Sequence, residues 1–325
     1  MRKASIVKFL AALSLMLIAV VPVSVLASSA GSNSSGIKVF PIRTDLTIDQ
    51  GKQTTVNITL QNLTSAKATF AAQVDNFSSY NLKGIPNIIV NSKSNDQHSI
   101  QPFIGPIKNF TVGADQASTV NIPIKVPADT SGGGYYGAIR FIEISSSSEK
   151  TVNIDVSVAS LILITVPGPQ LNQDLALSTF NVDQNNQPGR LFFSNRNLSV
   201  NSIFTNDGNV QVEPFGKLTI ENMSGKVIKT LSINKSIPPG NVLPNSSRQF
   251  TVNISGLSAP GEYKAVGAYG YGDQGRLLTA SVTFYVIPAW LVIVLALTIV
   301  LIVLGIVFTP KFFRWWYRRS IKRGR

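Results

Sequence analysis

Apolar and polar residues alternate along most of the chain between Gly36 and Val286. Val56, Ile58 and Leu60 alternate with threonine and asparagine, and the same period of two recurs over 70–74, 120–126, 152–158, 250–254 and 282–286. This period is typical of strands that bury one face. Turn-forming residues break the runs at short intervals, and no long stretch has the helical period of 3.6. The pattern predicts an all-β fold of immunoglobulin-like β-sandwiches.

The alternation is interrupted once in a way that indicates a domain boundary. A long apolar run ends at Val166, the sequence Pro-Gly-Pro follows, and a new alternation begins near Leu175. We predict one sandwich over 36–167 and a second over 170–287, each of ordinary domain size. The proline-rich linker is short, so the two domains are not expected to tumble freely.

The first thirty residues have the features of a signal peptide. A basic start precedes an apolar run from Phe9 to Leu26, and "VLASSA" then supplies the small residues that signal peptidase requires. Cleavage after Ala27 or Ala30 fits equally well. An uncleaved N-terminal membrane anchor is the alternative.

A second apolar segment lies near the other end of the chain. Residues 287–308 carry no charge. Their number, 22, is enough for a helix to cross a hydrocarbon core of about 30 Å. We predict a transmembrane helix over 288–308, with Trp290 at the membrane interface. A buried helix of a soluble domain is the alternative.

The tail 309–325 is basic and aromatic. Seven lysines and arginines and no acidic residue follow the apolar segment, which predicts a cytoplasmic tail, an extracellular bulk and a single-pass type I protein of the plasma membrane. Each basic residue near the surface should contribute roughly 1 kcal/mol of binding to anionic lipid. The expected interface residues are Lys311, Arg314, Trp315, Trp316, Arg318 and Arg319.

The net charge of +13 follows from this topology. Three basic residues lie in the signal and seven in the tail, so 19 basic and 16 acidic residues remain between them. The exported segment is nearly balanced, and a nucleic-acid partner is not expected.

The segment "VPADTSGGGYYGAIRF" (126–141) has two interpretations. A phosphate-binding loop would require a helix after the glycines and a Lys-Ser/Thr pair, and neither is present. The alternative is a sandwich corner, which an internal repeat supports. "TVNIPIKVP" precedes "GYYGA", and "TVNISGLSAP" precedes "GEYKA". Duplication of one sandwich explains the repeat, although chance is a competitor.

The repeat aligns Gly134 with Gly261 and Tyr136 with Tyr263, and we predict that each pair forms a structural corner of its sandwich. In immunoglobulin-like domains, a corner tyrosine donates its hydroxyl to the backbone of the preceding turn. We expect Tyr136, rather than Tyr135, to be buried with its hydroxyl bonded near the turn. The glycines would allow positive φ there.

Residues for catalysis are sparse. The single histidine, His98, lies in a polar loop and is expected to be solvated, and the acidic pair Asp45 and Asp49 fits a turn. Cysteine is absent, which excludes thiol chemistry. We predict no enzyme activity, no cofactor and no metal site. Ten Asn-x-Ser/Thr triplets could be glycan sites, or they could reflect a chain rich in these residues.

Several segments together resemble the bacterial WxL-interacting cell-surface proteins. Residues 49–74 and 126–141 resemble the first domain of that family, while 204–228, 241–252 and 260–272 resemble the second. "FYVIPAW" resembles the junction with the membrane anchor. The resemblance implies two immunoglobulin-like domains that bind a surface protein carrying a WxL domain, peptidoglycan, or both.

Three functional hypotheses follow. The first is a membrane-anchored, non-catalytic adaptor on a bacterial surface, which binds through sheet faces or by strand addition at an edge. The second is an accessory subunit of a membrane complex, acting through the transmembrane helix and the basic tail. A soluble chaperone for surface fibres is a weaker third, since it does not need an anchor.

Overall fold

The computed structural model of the protein describes residues 36–91, 96–144 and 157–322. The predicted signal peptide, 1–30, lies outside these residues, as do the last three residues of the tail. Within the described ranges the chain forms eighteen strands, a 3₁₀ turn at Gln101–Phe103 and one long helix. The predicted all-β class, with two immunoglobulin-like sandwiches and one C-terminal helix, is confirmed.

The first sandwich contains a small and a large sheet. The small sheet has the order β1-β3-β7, formed by Ile37–Phe40, Gln53–Asn62 and Ala117–Lys125. The large sheet has the order β2-β9-β8-β4-β5, formed by Arg43–Thr47, Ser157–Val166, Gly133–Glu143, Ala68–Ser79 and Pro86–Ile89, with β6 (Phe110–Val112) also paired to β4.

The second sandwich repeats this plan. One sheet has the order β11-β10-β13-β16, formed by Gln187–Gly189, Leu175–Gln184, Leu198–Asn206 and Ser246–Ile254. The other has the order β12-β18-β17-β14-β15, formed by Leu191–Phe192, Arg276–Val286, Gly261–Tyr271, Phe215–Asn222 and Val227–Ser232. The described strand pairs thus fall on either side of the linker, and the two sandwiches belong to one structural unit.

The alternating residues form the cores because each strand buries every second side chain. In β3, the side chains of Val56, Ile58 and Leu60 point into the first core. The second sandwich has two clusters, one around Phe284 and one around Tyr269.

The first two strands of the chain, β1 and β2, belong to different sheets of the first sandwich. β1 pairs antiparallel with β3, and after Pro41 the chain crosses over so that β2 pairs parallel with β9. The crossing places Arg43, the first residue of β2, close to the second sandwich.

The internal repeat occupies matching positions in the two sandwiches. Each "TVNI" lies in an edge strand, β7 or β16, and each Gly-Tyr segment opens the strand that follows. A further match links Asn62 and Asn206, which end β3 and β13 and are both fully buried. The side-chain oxygen of each accepts the backbone N–H two residues later.

The helix, α1, runs from Ala289 to Lys322. Its first part, Ala289–Ile306, is long and apolar enough to span a membrane, and it is not buried against the sandwiches. The helix therefore covers the predicted span and continues into the predicted tail. Trp290 lies at its start and is 60% exposed. The side chains of the other expected interface residues, from Lys311 onward, lie outside the described part of the chain.

Candidate binding cleft at the junction of the sandwiches

Tyr135 and Tyr136, near the start of β8, face opposite sides of their sheet. Tyr135 packs on Phe103 in the first core, with ring centroids 4.9 Å apart, and its hydroxyl donates to Ser131 O at 2.9 Å. Tyr136 is buried on the other side, and its hydroxyl donates to Gln211 Oε1 at 2.8 Å. Burial raises the pKa of the Tyr136 hydroxyl, against a smaller opposing effect of the Gln211 hydrogen bond. Tyr136 is therefore buried as expected, but the hydrogen bond to the turn is made by Tyr135. The Tyr136 hydroxyl instead links the first sandwich to the second.

Tyr263 makes the corner bond of the second sandwich. It is buried, and its hydroxyl donates to Ser258 O at 2.5 Å. It is the third residue of β17, as Tyr135 is the third residue of β8. The sequence repeat paired Tyr263 with Tyr136 instead, and a one-residue offset reverses the face of a strand on which a side chain lies.

The glycines beside these tyrosines provide space rather than positive φ, which neither Gly134 nor Gly261 adopts. A Cβ atom at Gly134 would lie 1.8 Å from Tyr136 Oη, and one at Gly261 would lie 2.7 Å from Tyr263 Oη. The expectation of positive φ at these two positions was wrong, because both glycines lie within extended strands, where they leave space for the neighbouring ring.

Replacing Tyr263 with phenylalanine is expected to lower the free energy of unfolding by about 1 kcal/mol, since Ser258 O loses its donor. Tyr285→Phe is the matched control, because the Tyr285 side chain is exposed on β18. Urea unfolding of the detergent-solubilised chain, followed by circular dichroism of the strands, measures the difference. Equal stability of the two variants would contradict a corner bond at Tyr263.

A polar network holds the two sandwiches together around the corner of β8. Gly134 N donates to Asn209 O at 2.8 Å, and Asn209 Nδ2 donates to Gly132 O at 3.1 Å. Gln211 Nε2 donates to Thr165 Oγ1 at 2.9 Å, while its oxygen accepts from the Tyr136 hydroxyl. Bonds at both ends of the Gln211 amide fix this loop of the second sandwich against the first.

Arg43 forms an ionic cluster beside this network. Its Nε lies 2.7 Å from Asp45 Oδ2, and its terminal nitrogens donate to Glu213 Oε1 at 3.0 Å and Pro239 O at 2.7 Å. Partial burial raises the pKa of the Glu213 carboxyl, although Arg43 acts in the opposite direction and Asp45 adds to the rise. One guanidinium thus bridges two carboxylates, one from each sandwich.

An apolar cleft of about 240 Å³ opens beside Arg43 at the junction. Both sandwiches contribute to its walls, which include Ile42, Phe77, Ile85, Leu161, Leu163, Leu243 and Arg248. Phe77 and Leu163 belong to a buried cluster with Tyr136, on the outer face of the large sheet. The face that a single sandwich would leave to solvent is therefore partly covered by the second.

Arg248 is the positively charged group of the cleft that lacks an acidic partner. Its Nη1 donates to Asn241 O at 2.9 Å, and its guanidinium lies 5.4 Å from the Phe250 ring centroid. Of the ion pairs in the described part of the chain, none involves Arg248. Burial lowers the pKa of Arg248, and Arg43 adds to this effect. Nearby, the buried Asn241 Oδ1 has no hydrogen-bond partner among the residues that the structure describes.

The other sequence candidates have structural roles. His98 was expected to be solvated but is partly buried, with Nδ1 2.8 Å from Gly134 O, because its backbone carbonyl accepts from Tyr136 N. Asp49 lies at a turn, where its carbonyl accepts from Lys52 N, whereas Asp45 belongs to the Arg43 cluster. In residues 36–91, 96–144 and 157–322, no group of three His, Cys, Asp or Glu side chains could hold a metal ion.

Arg43, Gln211 and Arg248 were missed by sequence reasoning. A weak signal existed for Arg43, because Asp45 two residues later lies on the same strand face. Glu213 is 170 residues away, so no local pattern connects it with Arg43. Gln211 and Arg248 lie in ordinary polar contexts that give no indication of a junction.

Comparison with known proteins does not assign the chain to a family. No family model and no curated protein matches it. Similar solved structures include the class 5 fimbriae chaperone CfaA, with 12% identity, a TM-score of 0.36 and coverage of 78% of this chain and 100% of that one. The CsuC–CsuE chaperone–tip adhesion subunit complex of Acinetobacter baumannii Csu pili has 15% identity, a TM-score of 0.33 and coverage of 75% and 97%. A PapD-like domain of human CEP192 has 10% identity, a TM-score of 0.28 and coverage of 42% and 87%. These scores are too low to transfer a function.

Proposed function

We propose that the protein is a membrane-anchored, non-catalytic adaptor that binds another protein on a bacterial surface. The observation that carries this proposal is the cleft between the sandwiches, where apolar side chains surround a guanidinium without an acidic partner. Such a combination of apolar walls and a few fixed polar groups is characteristic of binding sites.

The chemistry of the cleft favours one kind of ligand. Its walls offer contact to an apolar side chain, and Arg248 can pair with a carboxylate. A protein segment that carries an apolar residue next to an acidic one meets both requirements. The cleft is also preformed, because the Gln211 and Arg43 contacts hold the two sandwiches in place.

The resemblance to WxL-interacting proteins suggests that this partner carries a WxL domain, with peptidoglycan as a second surface ligand. The apolar helix α1 supports anchoring in the plasma membrane. The basic tail favours a cytoplasmic C-terminus and an extracellular position for both sandwiches.

Photo-crosslinking on intact cells tests the adaptor. A photoreactive amino acid at Ile42 or Ile85, on the rim of the cleft, should become linked to a surface protein that mass spectrometry identifies. The same amino acid at Leu277 is the control, because Leu277 is absent from the cleft walls and, like Ile42, is 68% exposed. Equal products from all three positions, or none, would overturn the proposal.

Ile42→Glu is expected to weaken partner binding at least about tenfold, because burying an apolar side chain of this size contributes roughly 2 kcal/mol. The matched variant Leu277→Glu should bind normally. Binding is measured on the purified chain with the crosslinked partner, and thermal unfolding verifies that both variants are folded. Equal affinities would place the binding site elsewhere on the protein.

The accessory-subunit hypothesis is favoured by one observation, the extension of α1 to Lys322. At 1.5 Å per residue, its 34 residues measure about 50 Å, well beyond the hydrocarbon core. Exchanging residues 289–325 for an unrelated anchor separates the hypotheses. An adaptor should keep its crosslinked partner after the exchange, whereas a subunit that acts through the helix should lose its complex.

A further inference from the structure

The end of the second sandwich at which β18 finishes, at Val286, is called its base, and it is joined directly to the start of α1. Two residues, Ile287 and Pro288, separate β18 from the helix, so the end of β18 lies within roughly 11 Å of the first helical residue. The segment 190–197 lines this connection. Ile287 N donates to Phe192 O at 2.8 Å, and Ala289 N donates to Phe193 O at 3.2 Å. These bonds hold the segment beside the helix start.

Large apolar side chains are exposed at this end of the sandwich. Leu191 and Phe193, on the two sides of the buried Phe192, are half exposed, and Trp290 is exposed next to them. Phe193 and Trp290 line the same shallow depression.

Met223 lies at the same end of the molecule on a different turn. The register of the sheet pairs Asn222 with Tyr263, and Tyr263 with Phe284, two residues before the end of β18. Met223 follows Asn222 and is 83% exposed. An apolar residue at a β-turn tip has no neighbouring strand to cover it, so two separate segments present apolar side chains at the base.

Basic residues accompany these apolar side chains. The sequence "RLFFSNR" places the exposed Arg190 and Arg196 on the two sides of the aromatic pair, and Lys226 follows Met223 in its turn. The ion pairs among the described residues do not include any of the three. Aromatic side chains with flanking cations suit the headgroup level of a bilayer.

We propose that the base of the second sandwich rests on the outer surface of the membrane, with Phe193 and Met223 in the lipid interface and Arg190 and Arg196 at anionic headgroups. The inference relies on the proposed anchoring by α1. It adds a second lipid contact beyond the helix axis, which restricts the tilt of the sandwiches and fixes the direction in which the cleft opens. A single span alone would leave that direction free.

The absence of native cysteine makes the test direct. Single cysteines at positions 193, 223, 277 and 300 of the full chain are labelled with an environment-sensitive fluorophore. The labelled chains are inserted into phosphatidylcholine vesicles, with and without phosphatidylglycerol, that contain a lipid-attached quencher. Position 300 lies within α1 and reports insertion. Leu277 provides an exposed control because it is the second residue of β18, at the end of that strand far from the helix.

We expect quenching at 193, 223 and 300 to exceed that at 277 several-fold. In the Arg190→Gln, Arg196→Gln background, quenching at 193 should lose its increase with phosphatidylglycerol while quenching at 300 stays unchanged. If 300 is quenched and 193 and 223 behave like 277, the anchoring stands and the lipid contact of the base is disproved. If 300 is not quenched, the anchoring fails and this inference fails with it.

Discussion

Arg140→Ala is expected to lower the free energy of unfolding by about 3–5 kcal/mol, the range for removing one partner of a buried ion pair. Arg140 Nε lies 2.5 Å from Asp75 Oδ2, and the Asp75 side chain is fully buried. Asp75 Oδ1 accepts from Asn91 N, and Arg140 Nη2 donates to Gln73 Oε1. Loss of the guanidinium would leave a buried carboxylate without its positive charge.

The measurement is thermal unfolding of the detergent-solubilised chain, followed by circular dichroism of the strands. A loss of this size should lower the midpoint by about 10 °C or more in a domain of this length. Arg196→Ala is the control, because Arg196 is an exposed arginine in the second sandwich. The midpoint of the control should not change.

A double-mutant cycle separates the ion pair from the other contacts of Arg140. Asp75→Asn removes the negative charge and keeps the shape, so Arg140→Ala should be less damaging in that background. If the cost of Arg140→Ala is the same in both backgrounds, the two side chains do not interact in the folded protein.

The local sequence pattern predicted the strands because a strand with one buried face has an apolar residue at every second position. The period of two located β3, β7, β16 and β18, and glycine and proline marked the turns between them. The apolar segment after Val286 predicted α1 from local sequence as well. A helix that spans a membrane makes all of its backbone hydrogen bonds within its own segment, so no distant residue is needed to identify it.

The junction was beyond sequence prediction for two physical reasons. Its contacts join residues far apart in the chain, such as Arg43 with Glu213 and Tyr136 with Gln211. Its geometry also depends on which side of a sheet each residue faces, and "GGYYG" can be read in two registers that place opposite tyrosines in the core. Only the pairing of β8 with β9 decides between these registers.

The corner of β8 consequently has two roles that meet at one glycine. The Tyr135 hydroxyl bonds to the turn of the first sandwich, and the Tyr136 hydroxyl bonds to the second sandwich. Gly134 contributes to the junction as well, because its backbone N–H donates to Asn209 O of the second sandwich.

Gly134→Ala is therefore expected to disrupt the junction and the cleft together. The new methyl group would lie 1.8 Å from Tyr136 Oη and 2.9 Å from Gln211 Oε1, which displaces the hydroxyl from its acceptor. Overpacking of this kind costs about 1–3 kcal/mol, and the lost hydrogen bond adds about 1 kcal/mol. Gly105→Ala is the control, because a methyl group there meets no atom within 4 Å.

Two measurements distinguish a loosened junction from general unfolding. Limited proteolysis should cut Gly134→Ala faster within the linker 167–174, while circular dichroism at low temperature remains that of the folded sandwiches. Partner crosslinking through Ile42 should fall in parallel, since the cleft walls come from both sandwiches. Tyr136→Phe, which removes the hydroxyl without adding volume, should show a weaker form of both effects. If Gly134→Ala leaves proteolysis and crosslinking at the level of Gly105→Ala, the two sandwiches are not held together at the Tyr136 corner, and the Gln211 contacts do not preform the cleft.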